Sequence, residues 1–375
     1  MRQLDDAPCL PDGARMLHIG LPKTGTTAIQ AALHVARQAL VEQGVRYAAP
    51  RNTRHPYAAA RYAIGEPMPH RAGADRLAWR AVVRRFRTSD ARATAFSSEA
   101  LYLASEQRAR SIVDEIGGQA HVVVTLRPFA YQLRSRWQQT VVGGGQATFD
   151  DWARRFLDNS TRVRRNGPEG ILDSWSPAVG AERIVFMVAD PGDRDVLFRR
   201  FEALLGLSDH TLEPAHVDNA ALSSQGSEFL RQLNILDPVK RADPTTDRAH
   251  VLRTGTRRIQ HMPGLSRERP QVAKWAAIRA NEVAAGWIDR LESSAATVIG
   301  RPQDLVVDVD GLPDAISAPA VIDVAEAARF AHTYWNAAME NFEKARAVPE
   351  QERGELSTQE LLALLRSRLA RRLTR

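Results

Sequence analysis

The fold of this chain is decided by residues 17–27, in which an apolar strand runs into a Gly/Lys/Thr loop and then a helix: Leu17-His18-Ile19-Gly20-Leu21-Pro22-Lys23-Thr24-Gly25-Thr26-Thr27. A strand-to-helix turn exposes unpaired backbone N–H groups and the positive end of a helix dipole, and both favour an anion. Lys23 adds a positive charge, and the threonines add hydroxyl donors around Gly25. The segment therefore predicts a binding site for a phosphate or sulfate group.

The order of residues in this loop differs from that of the nucleotide-triphosphate loop, G-x-x-x-x-G-K-[ST], in which the lysine follows the second glycine. Here Lys23 precedes Gly25. This moves the ammonium group from the helix start to the loop. A site for ATP or GTP would therefore lack its most diagnostic atom.

A second informative stretch is residues 121–126, HVVVTL, whose β-branched side chains suit a buried strand. It ends at Arg127-Pro128, where a proline at a first helical position predicts a helix over 128–140. Arg127 therefore lies at the carboxyl end of a strand. Ligands of open α/β sheets bind outside the carboxyl ends of the strands, so this motif and the loop should face one crevice.

These residues resemble sulfotransferases that use 3′-phosphoadenosine-5′-phosphosulfate (PAPS), particularly bacterial relatives of the carbohydrate enzymes. The resemblance implies that the phosphosulfate is held by Pro22, Lys23, Thr24, Gly25, Thr26 and Thr27. Arg127 and Ser135, eight residues later, match the family's pair for the 3′-phosphate. The likeness covers residues 15–135 well and the remainder weakly. Without it, Arg127 could equally pair with a carboxylate, and Ser135 could be a helix-surface residue.

Sulfuryl transfer needs a held donor, a base for the acceptor hydroxyl and a cation at the leaving oxygen. We assign Lys23 to the leaving oxygen. The resemblance points to Glu99 as the base, because Ser97-Ser98-Glu99 follows the predicted strand 93–96 and similar bacterial enzymes carry Ser-Ser-Glu there. The alternative for Glu99 is a helix-capping carboxylate.

The histidines are weaker candidates for the base. His18 lies in the first strand, ahead of the loop, where a histidine is more often a core residue with satisfied hydrogen bonds. His55 and His70 lie in residues 51–73, a stretch without clear periodicity that we expect to be a substrate loop. No H-x-x-x-H pair occurs and there is one cysteine, so no metal is expected. No G-x-S-x-G elbow suggests a hydrolase.

The net charge of +7 suggests an anionic partner. No zinc pattern, basic zipper or Arg-Gly aromatic motif accompanies the charge, so no nucleic acid is expected. PAPS is itself polyanionic, and the resemblance implies a hydroxyl acceptor on a carbohydrate, either a glycan or a glycolipid. Because Cys9 is the single cysteine and residues 1–15 do not form a signal peptide, we expect a cytoplasmic protein.

The predicted fold is α/β: a P-loop-like, three-layer, doubly wound parallel sheet flanked by helices, with a mostly helical C-terminal cap. The predicted strands are residues 15–20, 45–48, 93–96, 121–126 and 183–188. We divide the chain into a tail (1–14), a sulfotransferase domain (15–300, with core 15–206 and cap 207–300) and a linker with a helical extension (301–375).

Several predicted elements around this core bear on function. One helix is expected over 24–43, ended by Gly44, and the strand signal fades after His210. The cap is expected to hold helices at 224–236 and 274–291. Between them, Arg253, Arg257 and Arg258 form either a lid over the ligand or a solvated loop. A basic amphipathic helix at 357–373 is compatible with a membrane surface, with docking on the domain, or with homo-oligomer formation.

Two other functions remain open at this point. A nucleotide-dependent kinase with an atypical phosphate loop would require a magnesium-binding carboxylate at a strand end, whereas the Val-rich strand ends in Arg127. A non-catalytic protein of the same fold would bind PAPS without turnover. Its donor binding would survive replacement of Glu99, with no activity to lose.

Overall fold

Six strands form one all-parallel sheet. The strands are β1 (Ala14–His18), β2 (Val45–Tyr47), β3 (Ala93–Ser97), β4 (Ala120–Leu126), β5 (Ile184–Val188) and β6 (Thr297–Ile299). Their order across the sheet is β2-β3-β1-β4-β5-β6. The strands β3 and β5 are buried along their whole length, as expected for a sheet covered on both faces. The predicted α/β class with a parallel sheet is confirmed.

The computed structural model describes residues 9–51, 56–67, 72–190, 192–193, 195–214, 222–236, 247–262, 265, 268, 270–316 and 321–347. Its helices are α1 (Thr26–Val35), α2 (Arg37–Glu42), α3 (Tyr57–Ala63), α4 (Ala72–Arg87), α5 (Glu106–Ile116), α6 (Phe129–Val142), α7 (Phe149–Leu157), α8 (Ser160–Arg165), α9 (Pro168–Val179), α10 (Val196–Leu205), α11 (Ser224–Leu236), α12 (Asp247–Gln260), α13 (Lys274–Glu292) and α14 (Val324–Ala347). Short 3-10 helices occupy Glu99–Leu103, Ala181–Arg183 and Pro302–Leu305.

The chain separates into two compact units. The sheet unit comprises residues 1–140, 147–221 and 269–318, and the helical unit comprises 141–146, 222–268 and 319–375. In the sheet unit, α13 packs Trp287 against Phe129 of α6, with ring centroids 5.0 Å apart. In the helical unit, the ring of Phe229 on α11 stacks on that of Tyr334 on α14.

Helices lie on both faces of the sheet. His18 of β1 contacts the ring of Phe201 on α10, and its neighbour in register, Ser97 of β3, points to the same face. Phe96 precedes Ser97 in β3 and therefore points to the opposite face, where it meets Trp79 of α4. The sheet is thus enclosed between α10 on one side and α4 on the other.

Three predicted segments differ from the structure. The helix expected over 24–43 is broken at Ala36 into α1 and α2, although Gly44 follows it with a positive φ of 72° as expected. Residues 51–73, expected to lack regular structure, include α3, whose Ala59 and Ala60 are buried. No strand was predicted after His210, but the structure has β6 there, and it pairs with β5 at the sheet edge.

The predicted lid arginines lie on α12 in the helical unit. This segment is helical, so the expected loop around Gly255 is wrong. Arg258 donates hydrogen bonds to both carboxylate oxygens of Glu340 on α14, at 2.9 and 2.6 Å. Gly255 lies against the ring of Tyr334, where no larger residue would fit without displacing it. The predicted helix at 357–373 lies outside the described residues.

None of the described helices has both the length and the apolar character that crossing a bilayer requires.

Candidate functional site

Hydrogen bonds to β4 fix the loop that follows β1. The backbone N–H groups of Ile19 and Leu21 donate to the carbonyl oxygens of Val123 and Thr125, at 3.0 and 3.1 Å. In return, the N–H of Thr125 donates to the carbonyl oxygen of Gly20, at 2.5 Å. The loop therefore stays paired to β4 beyond the end of β1, and it begins beside the chain that leads to Arg127.

The backbone of the loop bends through three residues with positive φ. Gly20 has a φ of 106°, Lys23 a φ of 70° and Gly25, directly before α1, a φ of 103°. A Cβ atom on Gly25 would lie 2.9 Å from Cδ2 of Leu197 on α10, so glycine is required for space as well as for conformation. Among the described residues, nothing accepts a hydrogen bond from the N–H groups of Thr26 and Thr27. These donors remain available for an anion.

The hydroxyl groups of Thr24 and Thr26 point into the loop. Thr24 Oγ1 lies 2.6 Å from the carbonyl oxygen of Leu21, to which it donates, and 2.5 Å from Thr125 Oγ1. Thr26 Oγ1 donates to the same Leu21 oxygen at 3.2 Å. Both side chains are buried. Contrary to the expectation from sequence, these two hydroxyls hold the loop together because their protons are already committed within it.

Glu99 lies against the loop. It begins the 3-10 helix Glu99–Leu103 directly after β3, which is hydrogen bonded to β1. A Cβ on Gly20 would lie 3.3 Å from Cβ of Glu99, so the two backbones approach closely. Nε2 of Gln30, a buried residue of α1, donates a 2.9 Å hydrogen bond to Oε2 of Glu99. The carboxylate is therefore oriented by the same helix that begins at the loop.

Lys23, Glu99 and Arg136 form one electrostatic cluster. Burial lowers the pKa of Lys23, the Glu99 carboxylate opposes this shift, and the Arg136 guanidinium on α6 adds to it. A half-buried ammonium whose charge is opposed by a second cation and only partly balanced by one carboxylate is suited to an anionic ligand. The structure thus brings together the two predicted catalytic residues and adds an arginine.

Arg127 contacts Tyr131, which lies one turn before Ser135 in α6. The guanidinium carbon of Arg127 lies 5.6 Å from the centre of the Tyr131 ring, and Tyr131 precedes Ser135 by one turn of α6. Residues four apart lie on the same helix face. Arg127 therefore lies at the carboxyl end of β4 against a residue one turn before Ser135 in α6.

His18 is a buried core residue, as predicted. Its Nδ1 lies 2.8 Å from Ser97 Oγ and its Nε2 lies 3.4 Å from Thr125 Oγ1. Burial lowers the pKa of His18 to about 3, so the ring is neutral near pH 7. The other two histidines considered, His55 and His70, lie outside the described residues.

Sequence reasoning missed Arg136 and Gln30. Arg136 is adjacent to Ser135 but points from a different side of α6, where its Nη2 donates to Oε1 of Gln132 at 3.3 Å and its guanidinium lines a cavity with Tyr102. From the sequence, Gln30 is an interior position of an amphipathic helix. Its partner, Glu99, follows β3 and becomes a neighbour only because α1 packs beside that segment in the fold. The one signal in the sequence that Gln30 has a polar partner is that this polar residue lies among the buried positions of α1.

Over the described ranges, no cluster of three or more His, Cys, Asp or Glu side chains could hold a metal ion.

Comparison with known proteins gave no relative: no protein-family model, no curated protein and no solved structure matches the chain.

Proposed function

We propose that the protein is a sulfotransferase that moves a sulfuryl group from PAPS to a hydroxyl of a carbohydrate or glycoconjugate. The observation that carries this proposal is the position of Lys23. It lies in the loop before the open N-terminus of α1, where the charges of both Glu99 and Arg136 act on its ammonium group. A cation, a base and free backbone donors therefore converge at one point.

The strand order supports a P-loop-like site. β1 is followed by a crossover that leads to β2, whereas its neighbour β4 is followed by a crossover that leads to β5 on the other side. The crossovers from β1 and β4 thus lead to opposite sides of the sheet. Ligands of open α/β sheets bind at the point where the strand order reverses in this way. The loop of residues 20–27 and Arg127 both lie there.

The chemistry assigned to these residues is an in-line displacement at sulfur. Glu99 accepts the proton of the acceptor hydroxyl while the hydroxyl oxygen forms a bond to sulfur. The bond from sulfur to the oxygen of the 5′-phosphate breaks, and that oxygen leaves with the electron pair. Lys23 stabilises its negative charge. The products are a sulfate ester and 3′-phosphoadenosine-5′-phosphate (PAP).

Arg127, Ser135 and the first turn of α1 would hold the donor. The arginine fork suits a terminal phosphate, and a serine hydroxyl can donate a further hydrogen bond. At the other end of the donor, the N–H groups of Thr26 and Thr27 and the side chain of Lys23 face the phosphosulfate. Pro22 and Gly25 contribute the loop conformation.

One observation favours a second candidate, magnesium-dependent transfer of a phosphoryl group from ATP. Glu99 is a carboxylate at the carboxyl end of β3, next to β1, and such a position suits a magnesium ligand. We rank this candidate lower because the Glu99 carboxylate already accepts a hydrogen bond from Gln30 and already interacts with the charge of Lys23.

Isothermal titration of the full chain with PAP, and separately with ATP and magnesium, tests the assignment. We expect PAP to bind more tightly, and its affinity to fall at least 10-fold in Arg127→Ala. Arg110→Ala is the matched control, since that exposed arginine pairs with Glu106 on α5, and its PAP affinity should not change. Preference for magnesium ATP, or binding of neither nucleotide, would refute the sulfotransferase proposal.

Turnover separates an enzyme from a silent binding protein. With PAPS and a panel of sugar alcohol groups as acceptors, Glu99→Gln should abolish product formation while its PAP affinity stays within a few fold. A donor-binding protein with no turnover before mutation would instead belong to the non-catalytic class.

A further inference from the structure

A cavity of about 400 Å³ lies in the sheet unit, between the 3-10 helix Glu99–Leu103 and helices α6, α7 and α8. The residues of its lining that matter here are Tyr102, Arg136, Phe156, Arg162, Arg165 and Asn166. Its volume falls in the range of roughly 300–1,000 Å³ that is typical of small-molecule sites.

The cavity lining carries three arginines and no acidic residue. Within the part of the chain that the structure describes, no carboxylate forms a salt bridge with Arg136, Arg162 or Arg165. Arg136 is half-buried, and burial lowers its pKa. Three guanidinium groups around one cavity, without a protein carboxylate to balance them, favour an anionic ligand.

Two of these arginines lie over the ring of Phe156. The guanidinium carbons of Arg136 and Arg162 lie 5.9 and 5.6 Å from the centre of the Phe156 ring. Asn166 is 4% exposed and donates from Nδ2 to the carbonyl oxygen of Arg162 at 2.7 Å. Its Oδ1 is buried and has no hydrogen-bond partner among the described residues. The site therefore combines two cations that contact an aromatic ring with a buried polar acceptor that has no partner among the described residues.

The cavity adjoins the proposed reaction centre. Arg136 lines the cavity and also lies close enough to Lys23 to lower its pKa. Tyr102 lines the cavity too, and it follows Glu99 by one turn of the same 3-10 helix. The cavity is thus connected to the loop through Arg136 and to Glu99 through the 3-10 helix, although neither Lys23 nor Glu99 lines it.

We infer that this cavity is the acceptor subsite and that it selects hydroxyl compounds carrying an anionic group, a carboxylate or a sulfate. The assignment of the cavity to the acceptor rests on the proposed function, whereas the preference for anionic compounds rests on the cavity alone. Arg162 and Arg165 bind the anionic group, and Arg136 lies between that group and the reaction centre.

The test is a titration of the full chain, with and without saturating PAP, using two probes that differ in one group. They are p-nitrophenyl β-D-glucuronide, which carries a carboxylate, and the neutral p-nitrophenyl β-D-glucoside. We expect the glucuronide to bind at least 10-fold more tightly. Arg162→Gln and Arg165→Gln, both at exposed positions, should each weaken glucuronide binding 3-fold or more. Arg155→Gln, on the exposed side of α7, is the control and should not.

Each other outcome has a defined meaning. Equal binding of the two probes, or binding of neither, would overturn the inference. If Arg162→Gln weakened PAP binding as much as glucuronide binding, the cavity would belong to the donor nucleotide, which also overturns it. Selective glucuronide binding by a protein that does not bind PAP would refute the proposed function while leaving the charge selection of the cavity supported.

Discussion

The hydrogen bond from Gln30 Nε2 to Glu99 Oε2, 2.9 Å long, joins α1 to the segment that follows β3. One end of α1 faces the loop, and its middle orients the carboxylate. Displacement of this helix would therefore disturb the donor site and the base together.

Replacement of Gln30 by leucine should lower kcat about 10- to 100-fold, because loss of a hydrogen bond to a charged group costs roughly 1.5–3 kcal/mol. PAP affinity should stay within about 3-fold. Steady-state kinetics and PAP titration check both values. Gln38→Leu is the matched control, since Gln38 donates to Glu42 on the exposed face of α2. An equal fall in PAP affinity would mean that Gln30 supports the loop and not the base.

Lys23→Met should reduce turnover by about 10²–10³, the usual effect of removing one group that stabilises charge in the transition state. Because burial lowers the pKa of Lys23 below 10.5, the unfolded chain binds this proton more tightly than the folded chain. The free energy of unfolding should therefore rise as the pH increases towards 10.5, and Lys23→Met should flatten that rise. Urea unfolding at several alkaline pH values measures it.

The control for this variant is Lys274→Met at the start of α13, which should keep both the turnover and the alkaline rise of the unmutated protein. Loss of folding in Lys23→Met with unchanged specific activity of the folded fraction would contradict the catalytic role.

Gly25→Ala should destabilise the protein more than Gly13→Ala does. Both glycines have positive φ, at 103° and 79°, so alanine incurs roughly 1–2 kcal/mol of backbone strain at either position. Only at Gly25 does the new Cβ also meet Leu197. Urea unfolding of both variants, and of Gly25→Ala combined with Leu197→Ala, separates the two effects. Equal losses in the two single variants would show that the contact with Leu197 relaxes freely.

His18 should make the protein less stable in acid. Its pKa is about 3 in the folded chain and 6.5 when exposed, so only the unfolded chain takes up this proton between those values. The free energy of unfolding therefore falls as the pH drops from about 6.5 to about 3, by up to about 1.4 kcal/mol per unit. Above 6.5 the group contributes no slope.

His18→Gln should flatten this acid dependence, measured by urea unfolding from pH 3 to 8. His332→Gln, at an exposed position of α14, should retain it. An unchanged slope in His18→Gln would assign the acid sensitivity to other groups.

The sequence was informative wherever local chemistry determines structure. Gly44 follows the end of a helix, as predicted, because it adopts the left-handed conformation that glycine tolerates. The strand before Arg127 was predicted because a β-branched run suits a buried parallel strand.

The sequence was uninformative wherever contacts between distant segments determine the structure. The break at Ala36 lets Arg37 donate to the carbonyl oxygens of Tyr47, Ala49 and Pro50, which are near only in the fold. The strand β6 has three residues, too few for a period-two pattern. Arg136 joined the site because of the direction in which α6 turns it, and residue spacing alone does not give that direction.

The backbone pairing of residues 19–21 with β4 has a consequence for how the site responds to fluctuations. Because these amides belong to the central ladder of the sheet, they should exchange with deuterium only when the sheet itself opens. Residues 19–21 would then be among the last to lose protection, whereas the N–H groups of Thr26 and Thr27, which have no acceptor among the described residues, would exchange without such an opening. The ligand would bind a loop whose start is already ordered, so little conformational entropy of that segment would be lost on association.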